Sequence, residues 1–182
     1  MGLRVIPTAV GDCVTRNTYA RGFSLFTAIS LQLNREVSAS QLRSDAINYI
    51  SNHMDEFLPL LEELGESMME NREIPLLLLG QDLSQTILAL LRLPWTWTGA
   101  ESIVALASQL RRNIRVYQEG GPTVVFTPHG NEVVSAAPLR ITYCYDRRGD
   151  GLRTHFESVI EWRPRMPQTC DVSIKNILYL CH

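Results

Sequence analysis

The stretch Trp97–Gln118, "WTGAESIVALASQLRRNIRVYQ", changes its hydrophobic period part-way along, and that change decides the fold class. Thr98 and Glu101 have the spacing of a capping box, and Ile103, Leu106, Ala107 and Leu110 then recur on one helical face. Beyond Arg112 the pattern alternates, so 114–118 is predicted to be a strand. Upstream, the signal stays helical. One helix is predicted from Ser24, with Leu25, Phe26, Ile29 and Leu33 on a face. A second opens at the Ser38–Gln41 capping box and runs through Leu42, Ala46, Ile47, Ile50, Met54, Phe57, Leu58 and Leu61, with Pro59 near its end or at a kink. A third covers 82–92 and is closed by Pro94. Residues before Gly22, punctuated by Pro7 and Gly11, suggest no element.

Downstream of the switch the signal is of strands: 123–127, 132–134, 139–145, 157–162 and 174–180, with "DRRGDGLRT" at 146–154 as a surface turn. Helices first and strands second imply an α+β fold, with helices packed on a mainly antiparallel sheet. No repeat, low-complexity run or linker interrupts the chain, so a single domain over 1–182 is expected.

Composition narrows the function. Hydrophobic residues make up 45% and charged residues 20% of 182, as in a soluble globular protein, and a net charge of −2 gives no general attraction to nucleic acid or anionic membrane. Arg147, Arg148, Arg153, Arg163 and Arg165 read as a solvated surface cluster. The longest apolar run, "IPLLLLG", is too short to span a bilayer. Cys13, Cys144, Cys170 and Cys181 show neither CxxC pairing nor metal-type grouping with the four histidines. No metal or cofactor is therefore expected, and a reducing, cytoplasmic setting is the default.

Two places could carry chemistry. His155 stands where a polar loop enters a strand, a rigid mount with an exposed edge, and Glu157 shares its face two residues on. A carboxylate there can hold the imidazole in one tautomer. Ser24 opens a helix, where unpaired N–H groups and the helix dipole favour negative charge. Serine is also a preferred N-cap, and that simpler role explains Ser24 equally well.

"GFSLFTAIS" at 22–30 resembles the nucleophile motif of the OTU (ovarian tumour) cysteine protease family, Asp-Gly-Asn-Cys-Leu-Phe-Arg-Ala-Ile, with Ser24 at the cysteine position. The likeness continues in order through "QLRSDAINYISNHMDEFLPLL", "WTGAESIVALASQLRRNIRVY", "LRITYCY" and "THFESVI", and covers roughly 21–162. Residues 1–20 and 163–182 form N- and C-terminal extensions to it. The resemblance implies a papain-related cysteine protease fold and cleavage at the C-terminus of ubiquitin or a ubiquitin-like modifier. It implies Ser24 at the nucleophile position, His155 as general base, Glu157 as its orienting residue, and an oxyanion region around Arg21, Gly22 and Phe23. It makes Trp97, Gly99 and Glu101 structural residues first.

Three positions depart from the family pattern: Ser24 for cysteine, Arg21 for aspartate and Phe23 for a small polar residue. A thiol loses its proton to a neighbouring histidine near neutral pH, whereas an alcohol needs a finely arranged triad. The chain as written is therefore expected to be a very poor peptidase: an active-site Cys→Ser variant, a natural pseudoenzyme, or a non-catalytic ubiquitin-binding scaffold. Cys13, in "GDC", is a poor substitute nucleophile because "VTRNTY" after it lacks the apolar helical stripe that follows Ser24.

Overall fold

The computed structural model describes residues 3–16, 18, 22–70, 82–129, 136–146 and 153–164. Eleven elements follow one another among them: β1 (Leu3–Pro7), β2 (Gly11–Arg16), α1 (Ser24–Gln32), α2 (Ala39–Asn52), α3 (Met54–Glu70), α4 (Leu83–Leu91), α5 (Ala100–Leu110), β3 (Ile114–Gln118), β4 (Thr123–Phe126), β5 (Leu139–Asp146) and β6 (Arg153–Pro164). The strands form one sheet in the order β1-β2-β6-β5-β3-β4. Every neighbouring pair is antiparallel except β3 and β5, which run parallel. The fold is α+β, with helices on a mixed, mainly antiparallel sheet.

Three regions depart from the sequence reading. β6 starts at Arg153 and not at 157, so His155, 4% exposed, lies within a strand and not at an exposed loop edge. The N-terminal segment forms a hairpin, β1–β2, which adds two strands to the sheet beside β6. The predicted second helix is two helices, because His53 leaves the helical region (φ −126°, ψ 37°) and α3 restarts at Met54. Pro59 therefore lies near the start of α3, where its missing N–H deprives only the Asp55 carbonyl. The strands expected at 132–134 and 174–180, and the central residues of the 146–154 turn, lie outside the described residues.

Alternation along the strands divides the interior into two cores. Ile114, Val116, Ile141 and Phe156 face the helices and meet Phe26, Ile29, Ile50, Phe57, Leu61, Ile87 and Leu106, all at most 6% exposed. The opposite parity gives a second cluster of Ile6, Cys13, Tyr117, Cys144 and Val159 with Trp162 against it. There the rings of Tyr117 and Trp162 stack with centroids 4.5 Å apart. Gly120 N–H donates to Pro7 O (3.1 Å) and Ala9 N–H to Gly121 O (3.3 Å). These bonds join the β1–β2 hairpin to the β3–β4 turn, so the sheet curls around the second cluster.

Candidate active site

α1 begins at Ser24, and Phe23, not Ser24, occupies the cap position. No side chain caps this helix. The Ser24 hydroxyl, 4% exposed, instead accepts the Phe156 N–H at 3.3 Å. The plain capping role is thereby set aside: the serine is used in a tertiary contact, against the strand residue that joins His155 to Glu157. α1 lies along β6, and Thr18 ties the junction by donating from Oγ1 to the Phe156 carbonyl.

His155 and Glu157 share a face of β6, as their spacing predicts. His155 Nε2 lies 2.9 Å from Glu157 Oε1. An ionised carboxylate only accepts, so Nε2 carries a hydrogen and donates it to Glu157. The other oxygen, Oε2, accepts Thr15 Oγ1 at 2.5 Å and Arg4 Nε at 3.0 Å. Glu157 is fully buried, and burial pushes its carboxyl up; the hydrogen bonds from His155 and Thr15 and the charges of Arg4 and His155 outweigh it and hold the group below the ordinary carboxylate value. The result is an anion fixed by three donors, bonded to one ring nitrogen of a histidine.

Cys144 opposes His155 across β5–β6 and donates its thiol to the His155 carbonyl at 3.4 Å. One donor atom each from Cys144, His155 and Glu157 lie within 4.8 Å of one another, a set that could hold a metal ion. Two features oppose a cation there. Arg4 already supplies positive charge to Glu157, and burial, with the Glu157 charge beside it, pushes the Cys144 thiol up to about 12. The donor set suits a protonated, hydrogen-bonded cluster better than a metal centre. Cys13 lies fully buried in β2, and burial, with Asp12 beside it, pushes its thiol up to about 12, so it has neither the mount nor the ionisation of a nucleophile.

Of the expected oxyanion region, Gly22 and Phe23 are in place at the turn into α1, while Arg21 lies outside the described residues. The Thr98–Glu101 box is altered: Gly99 is the cap residue, and its N–H donates to both oxygens of the buried Glu101, at 2.8 and 3.1 Å. Trp97 is 42% exposed and Trp95 64%.

Residues 20–156 match the family model described as OTU-like cysteine protease. The chain belongs to the OTU-like cysteine protease family. A relative, Deubiquitinase OTUD6B of Xenopus tropicalis, is 31% identical over 142 residues, covering 76% of this chain and 43% of its own length. The chain thus spans less than half of that relative. Among solved structures, the OTUD1 OTU domain superposes with a TM-score of 0.52 at 20% identity, covering 81% of this chain and 85% of that one. The viral OTU domain protease from Dera Ghazi Khan virus gives 0.51 at 14%, with 82% of each chain covered. An OTU domain solved in complex with ubiquitin gives 0.52 at 13%, covering 85% of this chain and 74% of that one. These structural likenesses speak to the OTU fold alone. The family match ends one residue before Glu157, and it begins after β1 and β2, whose Arg4 and Thr15 hydrogen-bond to Glu157.

Sequence reasoning missed Arg4, Thr15 and Arg43. For Arg43 a signal existed: it stands four residues before Ile47 and seven before Ile50, on the buried face of α2. For Arg4 and Thr15 the alternation of "LRVI" and "CVT" was the only signal, and Pro7 and Gly11 obscured it.

Proposed function

We propose that this OTU domain acts on ubiquitin or a ubiquitin-like modifier, and that its hydrolytic machinery is assembled apart from the nucleophile. The observation that carries the reading is the junction of α1 and β6. The side chain at the nucleophile position bonds to the main chain next to His155, and His155 is held by a buried carboxylate. With a thiol at position 24, the imidazole would take its proton, the thiolate would attack the carbonyl of the modifier's C-terminal bond, and the imidazolium would return the proton to the departing amine. Glu157 orients the ring; N–H groups at the Gly22–Ser24 turn would receive the developing oxyanion.

With serine at 24 the first step stalls. An alcohol is far less acidic than a thiol, and Ser24 is buried and already serves Phe156 as an acceptor. The chain as written is accordingly a modifier-binding domain with little or no peptidase activity, in a reducing compartment. The test is Ser24→Cys in the full chain. Cleavage of a ubiquitin substrate, and covalent capture of ubiquitin bearing a C-terminal electrophile, should both appear and both vanish on adding His155→Ala. A Ser24→Cys protein that stays inert toward ubiquitin and its relatives while remaining folded would end the catalytic reading. The non-catalytic scaffold reading, favoured by the buried and engaged hydroxyl, predicts binding that survives Ser24→Ala and His155→Ala in calorimetry.

A further inference from the structure

The turn that delivers Ser24 to β6 is seated on another loop. Gly22 has a positive φ of 68°, and a Cβ there would stand 2.4 Å from Pro94 O and 3.1 Å from Thr96 O. The nucleophile turn and the segment after α4 therefore touch main chain to main chain. Such contacts place carbonyl against carbonyl unless a donor lies between them.

Arg43 is that donor. It points from α2 into the interior and is 4% exposed. Nη1 donates to Gly22 O at 2.6 Å and, at 3.4 Å, to Pro94 O. Nε and Nη2 donate to Leu91 O at 3.1 and 2.8 Å, and Nη2 also to Leu93 O at 2.6 Å and Thr96 O at 3.0 Å. The guanidinium lies 5.1 Å from the Phe23 ring centroid and 5.5 Å from that of Phe26. Each of these acceptors is a main-chain carbonyl. Burial pulls the guanidinium below the ordinary arginine value, the charge of Glu101 opposing it. A planar fork with five N–H groups can meet carbonyls from two loops at once, which a lysine ammonium cannot do in that geometry.

We propose that Arg43 is a positioning residue for the nucleophile: it locks the Gly22–Ser24 turn to the Leu91–Thr96 segment and so sets the direction of the N–H groups and the side chain at the start of α1. The peptide bonds here are trans. Turning the Gly22 carbonyl onto Arg43 therefore turns the Phe23 N–H the opposite way, out of the turn. The positive charge beside the turn adds to the field of the α1 N-terminus and favours a thiolate or oxyanion at position 24.

This inference rests on position 24 being the nucleophile position, and its test reads the thiol separately from the modifier. In the Ser24→Cys protein, alkylation of residue 24 by iodoacetamide is followed against pH by peptide mass mapping, beside capture by the ubiquitin electrophile. Adding Arg43→Lys should leave a cooperative melt, move the alkylation profile to higher pH, and slow alkylation at neutral pH and capture by about tenfold or more. Arg43→Gln should behave alike, showing that charge alone does not restore the site. A folded Arg43→Lys protein whose profile and rates match those of its parent would overturn the proposal. So would a failure of both variants to fold, since Arg43 would then be a folding residue. If the parent thiol alkylates readily but ignores the ubiquitin electrophile, the modifier reading fails while the alkylation comparison still decides the role of Arg43.

Discussion

The Thr15–Glu157 contact offers a quantitative check on the site. Thr15→Val keeps the shape of a fully buried residue and deletes the hydroxyl 2.5 Å from Oε2. Hydrogen bonds to charged groups contribute about 1.5–3 kcal/mol, so a loss of about 2 kcal/mol is expected near neutral pH. The pH dependence gives the sign. Glu157 is held below its unfolded value in the native chain, so its ionised form stabilises the fold above the unfolded carboxylate value of about 4.3, and that contribution is lost as pH falls through the lower folded value. Thr15→Val raises the folded value, so parent and variant should differ fully at neutral pH and converge in acid. Urea unfolding at pH 7 and at successively lower pH, with slopes compared to confirm equal surface exposure, measures this. Arg4→Gln is the control: Arg4 is 35% exposed, and screening should hold its cost to roughly 0.5–1 kcal/mol. A Thr15→Val penalty that does not change with pH would mean lost packing and not a lost charge interaction, and would refute the account of how Glu157 is kept ionised.

Three further outcomes are expected. Ser24→Ala removes the acceptor of the Phe156 N–H, which should cost about 1 kcal/mol in urea unfolding and speed hydrogen exchange at that amide; unchanged exchange would count against the contact. Gly22→Ala combines a left-handed backbone with a Cβ pressed on Pro94 O, and should cost about 3 kcal/mol. Cys13 and Cys144, buried with thiols pushed up to about 12, should resist iodoacetamide at pH 8 in the native protein and react in urea, as peptide mapping would show.

Much of the fold is legible because its pattern is local. The stripe of α5, the Ser38–Gln41 box of α2, whose Ser38 hydroxyl accepts the Gln41 N–H at 3.1 Å, and the alternation in β3 each need only a few neighbouring residues. What failed depends on distant partners. The apolar stripe from Leu42 to Leu61 runs unbroken across His53, so nothing local marks the end of α2 there. β1 and β2 are short and carry charge, and only pairing, of β1 with β2 and of β2 with β6, makes them strands. Ser24 shows the limit most clearly: cap and nucleophile mount want the same residue at the same place, and Phe156, 132 residues away, separates them. His155 and Glu157 are legible as a pair because strand geometry alone puts i and i+2 on one face. The donors that keep Glu157 charged are not, since they arrive from the other end of the chain.

The N-terminal hairpin has a consequence for where this unit may be cut. β1 is the edge strand of the described sheet, with β2 as its ladder neighbour, and it brings Arg4 to Glu157 while β2 brings Thr15. A fragment trimmed to the family match would keep the histidine but lose Glu157 and, with the hairpin, the Arg4 and Thr15 donors that hold that carboxylate. Peeling the hairpin, by a protease or by a competing strand, would loosen the carboxylate that holds the imidazole from a distance, without touching α1 or the histidine itself.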